Sequence, residues 1–363
     1  MRIIFALGHP AHFHLFKNVI SKLDEKGAVT KILITDKDIL KRLLHEHGYS
    51  YTVIAPRKNR ETILYKAIKI FKSTFSLYKI VKSFKPTLMI GSLTQPSYIS
   101  AITGIPYIFT GEDDISYTFL QCAVTYPFVS HILAPLPTKV GIFKYKKVPY
   151  SGYQKLSYLH PNFFKPSDEV LESKGITKPF YLIRLVNLNA YHDVNIKGLS
   201  GNILDSIIKK LEKKGRVFIT SEKTLGVNYQ KYELPIQAKD IHHLLYYADI
   251  YIGDSQSMAV EAAMLGTPSI RFNDFVGKIS VLDELEKKYQ LTVGIKTNEP
   301  EKLLEKVNEI LLNPELKNEY EEKRTRMLQD KINVTDFFLW FIENYPSSAR
   351  IMKENPDYQY NFR

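Results

Sequence analysis

Short apolar runs of strand length alternate with segments of helical spacing along this chain, stop near residue 160, and then start again. RIIFAL, VTKILIT, SYTVIA, TLMIG and PYIFT are the first set of runs. Between the first two, Leu15, Val19, Ile20 and Leu23 recur at the spacing of one helix face, and Gly27 stops that helix, because glycine tolerates the left-handed backbone of a helix end. Strands that are apolar on both faces, separated by helices, form a parallel, doubly wound sheet. The rhythm breaks at the polar, proline-containing stretch HPNFFKPSD, His160 to Asp168. It resumes with FYLIRLV, a helix over Leu204 to Leu211, RVFIT, a helix in IHHLLYYA, DIYIG, a helix in SMAVEAAML, and PSIRF.

The spacing therefore predicts two similar α/β domains, residues 1–162 and 163–330, and a length of 363 residues suits two cores better than one. From about Glu301 the chain is helical and charged. The segment 331–363 holds a strongly apolar helix, VTDFFLWFIENY, which must pack back on the body. Sheets of this kind bind ligands at the carboxyl ends of their strands, so two in tandem predict a cleft lined by both.

Composition narrows the partners. One cysteine, Cys122, excludes a disulfide framework and fits a reducing compartment. The opening MRIIFALGHPAH is too short an apolar run for a secretory signal, and no stretch reaches the length of a membrane span, so a cytoplasmic protein is expected. A net charge of +12 calls for an anionic partner: nucleotide phosphates, an acidic lipid surface or nucleic acid. No nucleic-acid recognition motif accompanies the charge, and nucleic acid is not expected as the partner.

The most informative stretch is GDSQSMAVEAAMLGTPSI, Gly253 to Ile270. A strand ends at Gly253 and a helix begins near Ser255, so Asp254, Ser255, Ser257 and Met258 lie where free N–H groups and the positive dipole end favour a phosphate. Glycine lets a ligand come close to the backbone. Asp254, awkward beside a phosphate, is expected to cap the helix. Glu261 sits about two turns into that helix among alanines and Val260. Its carboxylate either faces solvent or accepts from both hydroxyls of a ribose, and spacing alone leaves the two readings level.

This run resembles the nucleotide-sugar motif in the C-terminal domain of GT-B glycosyltransferases and of non-hydrolysing nucleotide-sugar 2-epimerases. In those families a small-residue turn leads into a helix with a ribose-binding glutamate and then Leu-Gly-x-Pro, matched here by Glu261 and by Leu265 to Pro268. A wider resemblance, carried by AHFHLFKN, GYQKLSYLHPNFFKP, YHDVNIKGLS, FITSEK, IHHLLYYADIYIGDSQSMAVEAAMLGTP and LDELEKKYQL, is to the family called domain of unknown function 354. That family is grouped with GT-B proteins. The resemblance implies a GT-B-like fold, with two Rossmann-like doubly wound domains facing across a cleft. It also implies a nucleotide-diphosphate sugar, UDP-linked, as substrate, with no cofactor and no metal. The acceptor would be a glycan or a lipid-linked sugar, in surface polysaccharide or glycolipid assembly.

Other residues are weighed against that frame. His9, His12 and His14 crowd the first strand–helix loop. In inverting GT-B enzymes a catalytic histidine lies in this loop, and His12, or less readily His14, stands at the matching distance from Gly27. The plain alternative is that these histidines cap the helix, and their spacing fits no common zinc pattern. Arg184, inside an apolar strand, needs an anion, either a diphosphate or a carboxylate. Ser221 and Glu222 end the next strand and are candidates for the diphosphate or the base. His242 begins a helix toward the same side, and His192 with Asp193 form a candidate oriented imidazole. Glu112, in GEDD, is the candidate acid or base under the epimerase alternative. That alternative lacks support in the first loop, where GHPAH carries neither the arginine nor the glutamate of the epimerases. DKD, Asp36 to Asp38, reads as a helix start rather than a metal motif. The stretch 57–85 has nine basic residues against Glu61, interleaved with aromatics, and is either a solvated face or a contact for an anionic membrane.

Overall fold

The computed structural model describes residues 1–55, 63–186, 198–222, 224–234 and 236–363. The chain divides into two compact units, Met1–Tyr158 with Lys331–Arg363, and Leu159–Asp330.

The first unit is built on seven strands: β1 (Arg2–Leu7), β2 (Val29–Thr35), β3 (Tyr51–Ala55), β4 (Leu88–Gly91), β5 (Tyr107–Thr110), β6 (His131–Pro135) and β7 (Lys147–Tyr150). All neighbours pair parallel, in the order β3-β2-β1-β4-β5-β6-β7. The chain order reverses between β1 and β4, where loops leaving adjacent strands diverge. The first five strands are the apolar runs of the sequence. β6 and β7 go beyond them, because each is short and carries a proline that obscures the apolar pattern.

One face of this sheet is covered by helices Ile63–Phe84, Gln95–Thr103 and Phe119–Thr125, with the turns after them. Their shared core includes Leu77, Val81, Ile99, Phe109, Cys122, Tyr126 and Val140. On helix Pro10–Glu25, Phe16 meets Phe338 of helix Val334–Glu343 at 6.1 Å, and Lys22 pairs with Asp336 at 2.7 Å. The last segment thus completes the first unit. Phe337, Phe338, Phe341 and Ile342 are wholly buried, each worth about 1.5–3 kcal/mol of transfer free energy.

The second unit holds β8 (Phe180–Leu185), β9 (Arg216–Ser221), β10 (Ile250–Gly253), β11 (Ser269–Phe272) and β12 (Val293–Ile295). They are parallel in the order β12-β11-β10-β8-β9. The reversal of chain order falls between β8 and β10, so the Gly253 turn stands at the ligand-binding position of a doubly wound sheet. Ile183, Ile207, Ile219, Ile252, Ile270 and Val307 join in its core.

Candidate functional site

The turn after β10 is shaped by its neighbours. A Cβ at Gly253 would come within 2.7 Å of both the Arg184 carbonyl and the Tyr251 hydroxyl, so the adjacent strand, not an approaching ligand, requires glycine here. The helix that follows, Gln256–Leu265, is capped by Ser255, whose Oγ accepts from the Met258 N–H at 3.2 Å. Asp254 therefore does not cap it. Its carboxylate turns back to accept from Val186 N–H at 2.8 Å, which ties the loop leaving β8 to the turn leaving β10. The sequence expectation had the right chemistry and the wrong donor, because register with β8 decides where the carboxylate reaches.

Beneath the turn lies a network that the sequence reading passed over. Asn273 donates to the Asp254 carbonyl at 3.1 Å and accepts from Gln256 Nε2 at 2.9 Å. Gln256 in turn accepts from Arg271 Nη1 at 3.2 Å, and Arg271 Nη2 donates to Glu286 at 2.8 Å. Glu286 also accepts from the Gly294 N–H at 2.9 Å. Arg271 is wholly buried, and burial lowers its pKa while Glu286 and Asp283 oppose the shift. The signal for it was present: PSIRF sets one cation in an apolar strand, as FYLIRLV does.

Glu261 is mostly buried, and its Oε1 stands 3.4 Å from Nε2 of His242, itself a buried residue of helix Ile241–Tyr247. The Phe164 ring meets His242 edge-on at 6.3 Å. Two residues chosen separately from the sequence are thus brought together, and Glu261 is not a solvent-facing residue. Ser257 is half-buried and Met258 buried in the first turn of the same helix. At the ends of β8 and β9, Arg184 Nη2 donates to Glu222 at 3.0 Å, with Ser221 half-buried beside it in sequence. Glu222 thus supplies the carboxylate that was one of the two anions expected for Arg184.

In the first unit, Nδ1 of His12 accepts from the Gly8 N–H at 3.2 Å. Burial, then His9, Lys37 and Lys155, hold its pKa well below the usual imidazole range. A neutral ring that accepts at Nδ1 carries its hydrogen at Nε2. His12 therefore presents a donor, whereas the general-base role asked for a lone pair. His9 caps helix Pro10–Glu25 by accepting from Ala11 N–H at 3.2 Å. His14 stacks on Tyr158 at 5.0 Å inside the packing rather than at a reaction face. Glu112 is fixed as well: one oxygen pairs with Lys155 at 2.5 Å and the other accepts from Gln154 N–H at 2.9 Å. With both oxygens engaged, it braces the loops after β5 and β7, an arrangement that leaves neither oxygen facing a substrate without giving up one of these bonds.

Asp36 pairs with Lys41 and Asp38 occupies the first turn of helix Asp38–Glu46, as a helix start requires. Among the described residues no cluster of ligating side chains could hold a metal, and no helix is long and apolar enough to cross a membrane. His192, Asp193, Arg57, Lys58 and Arg60 lie outside the described residues.

The Asp254 clamp gives a pH signature. Burial raises its carboxyl from 3.8 to about 6, against the opposing pull of the Val186 N–H. The folded state therefore holds this proton more tightly than the unfolded chain does. Its contribution to stability falls as pH rises from about 4 to about 6 and stays low above that. Asp254→Asn keeps an acceptor for Val186 and removes the charge. Denaturant unfolding should show the variant about 2 kcal/mol more stable than wild type at neutral pH, with no difference near pH 4. Equal slopes in both proteins would place the ionisation elsewhere.

Two parallel doubly wound units, each with a reversal of chain order, give this chain a GT-B-like fold, and solved structures match that fold along nearly its whole length. It is similar to S. aureus MnaA in a co-structure with UDP, at a TM-score of 0.68 and 12% identity over 96% of this chain and 97% of that one. It is similar to UDP-GlcNAc 2-epimerase from Neisseria meningitidis bound to UDP-GlcNAc, at 0.61 and 15% over 98% and 99%. Spinosyn forosaminyltransferase SpnP matches at 0.62 and 13% over 94% and 98%. By sequence the chain belongs to the family described as protein of unknown function (DUF354), whose model matches residues 1–334.

Proposed function

We propose that this chain is an enzyme that uses a nucleotide-diphosphate sugar, and that it transfers the sugar to a glycan or lipid-linked acceptor in surface polysaccharide or glycolipid assembly. The observation that carries the reading is Glu261: a mostly buried carboxylate beside His242, on the helix that starts at the reversal point of the second sheet. One carboxylate can accept from both ribose hydroxyls. The N-terminus of the same helix favours a diphosphate without a metal ion, and stabilises it as a leaving group. Neighbours crystallised with UDP and UDP-GlcNAc support a UDP-linked substrate. In this reading His12 donates from Nε2 to a substrate oxygen, and it becomes a base only if its bond from Gly8 is given up.

A second reading, nucleotide-sugar 2-epimerase, is favoured by the match to the Neisseria meningitidis enzyme. The commitment of Glu112 to Lys155 weighs against it. Product analysis separates the two: an epimerase converts one nucleotide sugar into another, whereas a transferase releases nucleoside diphosphate when the acceptor is supplied.

Calorimetry with UDP, GDP, TDP, CMP and UDP-GlcNAc tests the common core of both. One nucleoside diphosphate should bind saturably. Glu261→Ala should weaken it about a hundredfold, the scale of two hydrogen bonds to a charged group. If no nucleotide binds at millimolar concentration, or the variant binds as wild type does, the reading fails.

A further inference from the structure

One face of the first sheet is covered by four consecutive pieces of chain whose outer side is unusual. Helix Ile63–Phe84 is linked to helix Gln95–Thr103 by the bond from Gln95 to Ser73 at 3.1 Å. Tyr98 of that second helix meets Phe128, just past helix Phe119–Thr125, at 5.5 Å. The turn Gly141–Lys146 closes the layer: Phe143 packs on Tyr126 at 5.6 Å, and Lys146 donates to the carbonyls of Tyr126, Pro127 and Val129. All four share the core beneath them. They are therefore one layer with one outer surface.

That surface is apolar and basic at once. Phe71 is 74% exposed, Phe119 60% and Ile142 81%, and Phe75, Ile102, Leu120, Val124, Phe128 and Tyr145 are exposed with them. A soluble protein rarely leaves so many large apolar side chains together without a partner. Lys72, Lys79, Lys82 and Lys144 are exposed among them, and Lys79 lies over the Phe75 ring at 4.7 Å. The segments Ile63–Phe84, Gln95–Thr103, Phe119–Phe128 and Gly141–Lys146 carry seven lysines and not one Asp or Glu. The chain has 38 acidic residues in 363, so their absence from this layer sets its chemistry apart. A protein partner would be met by apolar contacts and mixed charge. Helices and a turn whose only charges are cations, set around projecting aromatic and aliphatic groups, suit an anionic headgroup plane with hydrocarbon beneath it, with exposed Asp113 the nearby acid beside Cys122 and Tyr126.

The geometry points to this layer as the docking surface of the first unit for an anionic phospholipid bilayer, with the aromatic and aliphatic groups entering the interface and the lysines resting on the headgroups. The assignment is wider than the sequence expectation for 57–85, because the fold adds Gln95–Thr103, Phe119–Phe128 and Gly141–Lys146 to the same face. It does not rest on the nucleotide reading, since lipid binding needs no nucleotide.

Flotation with vesicles of phosphatidylcholine, alone and mixed with phosphatidylglycerol, tests it on the full chain. Wild type should float with the mixed vesicles and not with the neutral ones, and release as salt is raised well above about 0.1 M. Lys72→Gln/Lys79→Gln/Lys82→Gln should weaken binding about a hundredfold, the scale of three surface lysines. Phe71→Ser/Phe75→Ser and Phe119→Ser/Ile142→Ser should each weaken it about tenfold, the scale of partly inserted apolar groups. The replaced side chains are exposed, so thermal midpoint and nucleotide binding should hold in every variant. Three results would overturn the assignment: no preference for anionic vesicles, equal binding by all variants, or a concentration-dependent dimer that the phenylalanine variants dissociate, which would show a second copy covering the face.

Discussion

Glu112→Ala will lower the stability of the first unit by about 3–5 kcal/mol, the cost of leaving a buried charge without its partner. Glu112 and Lys155 expose only 9% and 8% of their side chains, and their ion pair joins the loops after β5 and β7. Alanine leaves the Lys155 ammonium without this counter-charge and the Gln154 N–H without its acceptor. On a unit of this size the thermal midpoint should fall by about 10 °C. Glu112→Leu with Lys155→Met removes both charges and should recover most of the loss, because apolar packing can replace a buried pair. The same pair of measurements decides what Glu112 is for. A variant that melts normally yet loses turnover would make Glu112 a chemical group after all, and the brace argued from its two bonds would be wrong.

Glu286→Ala should have an effect of the same order on the second unit. Arg271 keeps its proton under all ordinary conditions and is wholly buried, with Glu286 as the carboxylate that meets it. Its Nε has no hydrogen-bond partner among the described residues, so the guanidinium already has less than its full complement. Removing Glu286 should cost about 3–5 kcal/mol in denaturant unfolding. The loss should also reach the turn, because Gln256 and Asn273 connect Arg271 to the Asp254 backbone. Nucleotide affinity, measured below the new midpoint, should therefore fall as well, while Glu286→Gln, which keeps an acceptor for Gly294, should lose less of both. A Glu286→Ala protein as stable as wild type would mean that Arg271 finds another counter-charge.

These two carboxylates show where reading the chain succeeds and where it stops. Strands such as RIIFAL and DIYIG were legible because a sheet covered on both faces needs uninterrupted apolar runs, a property of the segment itself. HILAP and KVPY were not, since their prolines fall inside the strand and break up the run, whereas in PYIFT and PSIRF the proline precedes it. The position of the Gly253 turn followed from strand and helix alone. The partners of its charged residues did not: Arg184 with Glu222, Glu261 with His242 and Asp254 with Val186 N–H are all set by which strands lie side by side. The tautomer of His12 likewise depends on one backbone N–H, that of Gly8, which no residue pattern announces.

The return of residues 331–363 to the first unit has a consequence for how the protein is made. A chain leaving the ribosome presents residues 1–158 first, yet the face of helix Pro10–Glu25 that meets Phe338 waits for a segment that begins at Lys331. At ordinary elongation speed that wait lasts roughly ten to thirty seconds. The unit that starts first is thus finished last. The second unit, contiguous from Leu159 to Asp330, can close before it. During that interval an uncovered apolar stripe is exposed to the cell, and a chaperone that holds nascent chains would find its target on the Phe16 face.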